Sequence, residues 1–248
     1  EESFDLLVGA DGAFSLVGRS TGRALPKARL CPAVGVLVHG VDPAEGAWMR
    51  FYPGLRGYLW VFPRVDRASV GIVAFPGDAT AAGLRRRVAE FLRGSLPRAR
   101  VVGSYGWVIP APGPDGRALV APLADRVALL GDAAGLVDPI TGEGIYYALA
   151  SARILAGAIL GGSPQEYPAR LEETLGPELA RAGAWAERYF KPSVLEAILA
   201  GAARSRRVRA LIADLASGRQ KYSTLPDRVG ASPAGRILAR VLRTFLAA

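Results

Sequence analysis

Val127-Ala128-Leu129-Leu130-Gly131-Asp132-Ala133-Ala134-Gly135-Leu136-Val137-Asp138-Pro139-Ile140-Thr141-Gly142-Glu143-Gly144-Ile145 is the stretch whose reading fixes the fold. The apolar run Val127 to Leu130 reads as a buried strand, and it passes directly into a glycine and an aspartate. Gly131 ends the strand without a side chain, which frees Asp132 to point into a cleft. In α/β folds, ligands gather beyond the carboxyl ends of strands. A loop from Val137 to Gly142 then leads to a long apolar helix starting near Gly144. Gly142 and Gly144 leave room for a planar ring at that helix start, where partial positive charge favours an anionic group.

A related strand-end motif lies near the other end of the chain, in Asp5-Leu6-Leu7-Val8-Gly9-Ala10-Asp11-Gly12-Ala13-Phe14-Ser15-Leu16-Val17-Gly18-Arg19. Phe4 to Val8 reads as a short buried strand. Gly9 and Gly12 permit close backbone approach, Asp11 offers a carboxylate, and Ser15 can begin a helix. Strands of this type normally sit inside a multi-stranded sheet, so a chain that opens on one reads as starting in mid-sheet.

Between the two motifs, short strand-like runs recur at Val34 to Val38, Trp48 to Tyr52, Tyr58 to Phe62 and Ser69 to Phe75. The turn signals that separate them predict an antiparallel sheet. A helix follows, with Leu84, Val88, Phe91 and Leu92 on one face and Arg85, Arg86 and Arg87 as a solvated face. From Tyr167 onward the chain is rich in Ala, Leu and Arg and reads as helical, broken near Lys191-Pro192, Leu225-Pro226 and Ser232-Pro233. The expected organisation is therefore 1–22 with 109–163 as one domain, 23–108 as a sheet domain, and 164–248 as a helical region.

Composition narrows the chemistry. The 248 residues carry 31 Lys and Arg against 22 Asp and Glu, a net charge of +9. A basic surface attracts anions, but no finger-like Cys/His spacing or basic tract interleaved with aromatics supports a nucleic-acid partner. Cys31 and His39 are the single cysteine and histidine, so no intrachain disulfide or Cys/His metal site is expected. Cys31 reads as a small buried apolar residue and His39 as a strand residue. Glu1 and Glu2 do not open a signal peptide, and Ile145 to Leu160, interrupted by Arg153, falls short of a membrane span. A soluble, cytoplasmic protein is expected. The basic amphipathic tail, with Ile237, Leu238, Val241, Leu242, Phe245 and Leu246 on one helical face, reads either as a terminal helix packed on its own domain with solvated arginines or as a peripheral membrane contact.

The two motifs, in this order and spacing, resemble those of glutathione-reductase-type flavoproteins of the aromatic hydroxylase branch. Gly131 to Gly135 continuing through Asp138 to Ile145 is similar to the geranylgeranyl reductase family. So is Gly57-Tyr58-Leu59-Trp60-Val61-Phe62-Pro63-Arg64, which resembles that family's aromatic-Trp-x-Phe-Pro segment. The resemblance covers about Phe4 to Ile159. It implies a mixed α/β and α+β fold: the carboxyl-terminal part of an FAD-binding domain, an antiparallel substrate domain and a helical region.

It also implies roles. Gly9, Asp11 and Gly12 would lie near the pyrophosphate and ribose of FAD, and Gly131 and Asp132 at its ribityl chain. Pro139, Gly142, Gly144 and Ile145 would border the isoalloxazine ring. Tyr58, Trp60 and Phe62 would line an apolar pocket for a prenyl chain. The implied reaction reduces carbon–carbon double bonds of a prenyl lipid, with electrons from an external donor. A flavin monooxygenase or halogenase acting on aromatic substrates shares both motifs, and a non-catalytic lipid- or partner-binding remnant is the third reading. No residue here reads as a proton donor, so catalytic residues stay unassigned, and no metal is implied.

The family pattern also has an N-terminal strand followed by Gly-x-Gly-x-x-Gly, which the chain lacks. That loop supplies several charge-assisted bonds to the pyrophosphate, each worth about 1.5–3 kcal/mol. The 248-residue polypeptide alone should therefore lose FAD on gel filtration; stoichiometric retention would refute the expectation.

Overall fold

The computed structural model describes residues 3–113 and 115–230. The expected amphipathic tail, Ser232 to Ala248, lies outside the described residues. In chain order the elements are β1 (Leu7–Gly9), α1 (Leu16–Ser20), β2 (Leu30–His39), β3 (Trp48–Arg50), β4 (Gly57–Pro63), β5 (Ala68–Ala74), α2 (Ala81–Ser95) and β6 (Arg100–Pro110). They continue with β7 (Leu123–Ala124), β8 (Val127–Leu129), α3 (Gly131–Ala134), α4 (Ile145–Leu160), α5 (Tyr167–Tyr189), α6 (Pro192–Arg204), α7 (Arg206–Ala216) and α8 (Leu225–Gly230). Two compact units result, one from Glu1–Leu25 with Pro112–Ala248 and one from Pro26–Ala111.

The second unit is a five-stranded antiparallel sheet in the order β3-β4-β5-β2-β6. Period-two alternation gives its strands two distinct faces. On one face Leu59, Val61, Val70 and Ile72 are fully buried and pack against Leu84, Val88 and Phe91 of α2. The Thr80 hydroxyl opens α2 by accepting from the Gly83 amide at 3.1 Å. The other face carries Tyr58, Trp60 and Phe62, with Cys31, Ala33 and Val73 beside the first two. The four strands expected from the sequence are present, the second of them ending at Arg50. The fifth, β6, lay in a segment that gave no strand signal. It holds the sheet edge beside β2, and most of its residues are exposed or half-buried.

In the first unit β1 runs parallel to β8, and β7 flanks β8 antiparallel. The β1 strand begins three residues later than the apolar run suggests. Phe4 stays exposed, its carbonyl taken by Arg126 and its ring covered by the same guanidinium. Helices α4 and α5 bury Leu155, Ala158, Leu171 and Leu175 against Ala128 and Leu129. Tyr167, fully buried at the start of α5, donates its hydroxyl to the Leu129 carbonyl at 3.0 Å. A break between α6 and α7 at Ser205, which caps α7, has no counterpart in the sequence expectation.

The faces of β4 make a testable distinction. Leu59→Ala should lower unfolding stability by about 2–5 kcal/mol, the cost of a core cavity. Phe62→Ala, which truncates an exposed ring, should cost about 1 kcal/mol or less. Denaturant unfolding of the two variants measures both, and a reversed order would place α2 on the wrong face.

Candidate cofactor site

The parallel pairing of β1 with β8 sets Gly9 opposite Leu129, so both motif turns leave the sheet at the same end. The Leu130 amide donates to the Gly9 carbonyl at 2.9 Å and holds the two exits together. Gly9 has no room for a side chain: a β-carbon there would lie 2.6 Å from Leu129 Cδ2 and 2.9 Å from Val17 Cβ. Its small size thus serves packing within the chain. Gly12, at φ 80°, makes the turn. The Asp11 carboxylate accepts from the amides of Leu16 at 2.6 Å and Val17 at 3.3 Å, and Ser15 caps α1 through Gly18 at 2.8 Å. Partial burial raises the Asp11 pKa, but hydrogen bonds from Ser15, Leu16 and Val17 outweigh it and hold the carboxyl below its ordinary value.

The second turn is built differently. Gly131, at φ 49°, lets α4 press on the strand end, since a β-carbon there would sit 2.8 Å from Ala148 Cβ. Its amide donates to Ser151 Oγ at 3.1 Å, a hydroxyl buried inside α4. Asp132 falls in the first turn of α3 and is half-buried. The α3 cap position is Leu130, so Asp132 is not a helix cap. Among the described residues no donor lies within hydrogen-bonding distance of its carboxylate. Burial, reinforced by the charge of Glu143, raises its pKa above the ordinary carboxylate value. A β-carbon on Gly144 would fall 2.7 Å from Asp132 Oδ1. The absent side chain at 144 therefore makes room for this carboxylate.

The loop between them is organised by Asp138, whose side chain is only 5% exposed. Its Oδ1 accepts from the amides of Ile140 at 2.9 Å and Thr141 at 2.8 Å, and Oδ2 accepts from the Tyr222 hydroxyl at 2.9 Å. The backbone closes the loop with Asp138 N to Glu143 O and Gly142 N to Asp138 O, both 2.9 Å. Gly142 adopts φ 70° to allow this. One residue before the α4 cap position Gly144, the Glu143 carboxylate accepts from the Tyr146 amide at 2.7 Å, which fits a carboxylate at a helix start. Of the residues expected at the ring, Pro139 is buried, Gly142 and Gly144 are half-buried, and Ile145 is 76% exposed.

Sequence reasoning assigned no role to Asp138, Ser151, Tyr167 or Tyr222. An aspartate three residues before a Thr-Gly pair is a turn signal that could have found Asp138. Nothing local marks Tyr222. Burial and the charge of Asp138 push the Tyr222 pKa far up, which keeps its phenol a donor.

Tyr58, Trp60 and Phe62 belong to the other unit. Their rings follow one another at centroid distances of 6.1 and 6.0 Å. Trp60 lies flat over Gly71, where a β-carbon would meet its ring at 2.2 Å, and Tyr105 covers Gly35 in the same way. Trp60 Nε1 donates to Ser69 Oγ at 3.2 Å, and Ser69 shares a 2.6 Å hydrogen bond with the Tyr105 hydroxyl. Cys31 is buried nearby, and burial pushes its thiol up to about 12, so no thiolate is available for redox chemistry. His39 Nδ1 lies 2.8 Å from the Asp66 carbonyl. Among the described residues, no cluster of His, Cys, Asp or Glu could hold a metal ion.

No protein-family model matches the chain. A digeranylgeranylglycerophospholipid reductase of Methanothrix thermoacetophila is 31% identical over 195 residues, covering 71% of this chain and 48% of that protein. The chain belongs to the geranylgeranyl reductase family. A second such reductase, from Methanothermobacter thermautotrophicus, is 32% identical over 194 residues, with 71% of this chain and 48% of that protein covered. The chain thus spans about half the length of the curated family members it matches. The family fold is seen in a geranylgeranyl bacteriochlorophyll reductase-like structure from Thermoplasma acidophilum, with TM-score 0.65, 22% identity, and coverage of 95% of this chain and 58% of that one. A flavoprotein/dehydrogenase from Cytophaga hutchinsonii shares the fold at TM-score 0.63 and 16% identity, covering 96% of this chain and 62% of that one. The mixed α/β flavoprotein fold expected from the sequence is the fold of this chain.

Asp132 should cost the free protein stability. Its folded pKa is raised, so the folded state binds more protons than the unfolded state between the two pKa values, and stability falls as pH rises through that window. Asp132→Asn should accordingly raise the melting temperature at pH 7, and the gain should fade below about pH 4, where both states are protonated. A destabilised variant at pH 7 would contradict the unpaired carboxylate.

Proposed function

We propose that this chain is the part of an FAD-dependent reductase that holds the ribityl chain and ring of the flavin and binds a prenyl lipid, whose carbon–carbon double bonds are reduced. The observation that carries the reading is the half-buried Asp132 carboxylate, without a donor of its own, at the strand end of a geranylgeranyl reductase family member. The residues present fit the cofactor. A carboxylate whose pKa is raised by burial, beside the glycine start of α4, is suited to accept from neutral hydroxyls such as those of a ribityl chain.

Bound FAD, reduced by an external donor, would supply the hydride. Asp132 would orient the cofactor through its ribityl hydroxyls. The loop held by Asp138, with Pro139, Gly142, Gly144 and Ile145, would border the ring. The N-terminal end of α4 would favour negative charge there. Asp11 is committed to the amides of Leu16 and Val17, so its proposed part is to shape the Gly9–Gly12 turn towards the pyrophosphate and ribose. Tyr58, Trp60 and Phe62, half-buried or exposed on the sheet face away from α2, would give a prenyl chain an apolar, water-poor surface. Curated relatives named for the reduction of digeranylgeranylglycerophospholipid support that substrate class.

A form of the protein that includes the glycine-loop half should gain hydrogen on a geranylgeranyl lipid, when supplied with FAD and a chemical reductant. Mass spectrometry would read one hydrogen molecule added per double bond. Asp132→Ala in that form should lose flavin while keeping its circular-dichroism spectrum. Hydroxylation or halogenation of aromatic substrates with no change in the prenyl lipid would overturn the reading.

A further inference from the structure

Charge is unevenly divided between the units. Pro26–Ala111 contains twelve Lys and Arg against five Asp and Glu, so seven of the nine net charges reside there. Part of this excess gathers at one end of the five-stranded sheet. Val38 pairs with Ala68 on one side and Val101 on the other, which brings the turn between β4 and β5 to the same end as the start of β6. Two strand spacings, about 10 Å, separate them. Arg64 and Arg67 flank the turn, and Arg98 and Arg100 flank the entry to β6; all four are exposed. Among the described residues Arg64, Arg98 and Arg100 have no carboxylate partner, while Arg67 pairs with the adjacent Asp66 at 3.1 Å.

Apolar side chains stand among these cations. Val65, at the tip of the turn, is 99% exposed, and Val101 and Val102 are 51% and 43% exposed. The platform is firm. The Arg64 amide donates to the Arg67 carbonyl at 2.7 Å, and the His39 ring meets the Asp66 carbonyl at 2.8 Å. Gly40 fits so closely that a β-carbon would lie 2.8 Å from the Arg98 carbonyl oxygen.

We propose that this end of the sheet is a contact surface for an anionic lipid bilayer. Val65 enters the headgroup layer, and the arginines around it meet lipid phosphates. A lone exposed valine is ordinary. A fully exposed one at a hydrogen-bonded turn, flanked by Arg64 and Arg67 and joined at the same sheet end by Arg98, Arg100 and two further valines, matches the chemistry of an interface that is apolar within and anionic without. A nucleic acid would complement the arginines but gain nothing from covering Val65. This surface goes beyond the reductase reading and does not depend on it.

The test is flotation of the full 248-residue chain with vesicles of phosphatidylcholine containing phosphatidylglycerol, against phosphatidylcholine alone. Binding should require the anionic lipid and weaken with salt. It should fall about five-fold for each arginine removed in Arg64→Gln and Arg100→Gln, and be lost in Val65→Asp. These positions are exposed, so unchanged melting curves should certify the fold of each variant. Equal flotation with neutral vesicles, or undiminished flotation of the folded variants, would overturn the proposal. Loss of flotation only when 232–248 are removed would assign the contact to the tail, and binding of RNA without any vesicle binding would assign the charge to a nucleic acid. Either result also defeats it.

Discussion

The buried carboxylate of Asp138 is the constraint on which the first unit depends. An ionised carboxyl removed from water without partners costs several kcal/mol, so its hydrogen bonds must form together with the fold. Two of its donors, the amides of Ile140 and Thr141, lie within the loop it begins. The third, Tyr222, comes from 84 residues later. The local pair shapes the loop that leads into α4; the distant one ties the helical region to that loop. Tyr222 is itself held, since its amide donates to the Glu178 carboxylate on α5 at 2.6 Å. The motif loop and the helices after residue 163 therefore share one compact unit, because a buried charge in the first is satisfied by the second.

What the sequence made legible follows the range of each interaction. A strand ending in Gly-Asp, a loop rich in Pro, Thr and Gly, and a long apolar helix are local signals, and all three elements lie where the residues place them. The strand-like run between turn signals likewise marked β2, β4 and β5. It could not assign the two faces of β4, because Leu59 and Val61 are as apolar as Tyr58, Trp60 and Phe62. Only the packing of α2 decides that. The β6 strand escaped because it lies at a sheet edge, is widely exposed and contains Gly103 and Gly106, so its core-facing pattern is diluted. Tyr222 escaped for a different reason: its meaning lies wholly in a contact far along the chain.

Glycines show how a motif can be read correctly in place and differently in cause. At 9 and 131 the missing β-carbon is taken up by Leu129, Val17 and Ala148, all groups of this chain. Those glycines bring strands and helices close enough for the two turns to emerge side by side. At 144 the space goes to a carboxylate oxygen of Asp132. The sequence pointed to glycine at each position, whereas the atoms that require it become visible only in three dimensions.

The carboxylates of this unit's motifs then separate by their partners. Asp11, Asp138 and Glu143 each accept from backbone amides, and their place in the fold is complete without any ligand. Asp132 accepts from nothing among the described residues, is half-buried, and carries a raised pKa that works against folding at neutral pH. A fold gains nothing from such a group. The charge of Glu143 repels it, and among the described residues no arginine pairs with it. In the proposed flavin complex the donors would come from the cofactor, whose neutral hydroxyls meet the carboxylate without the desolvation cost of burying a second charge beside it. That requirement singles out Asp132 as the side chain here with most to gain from a polyhydroxylated cofactor chain.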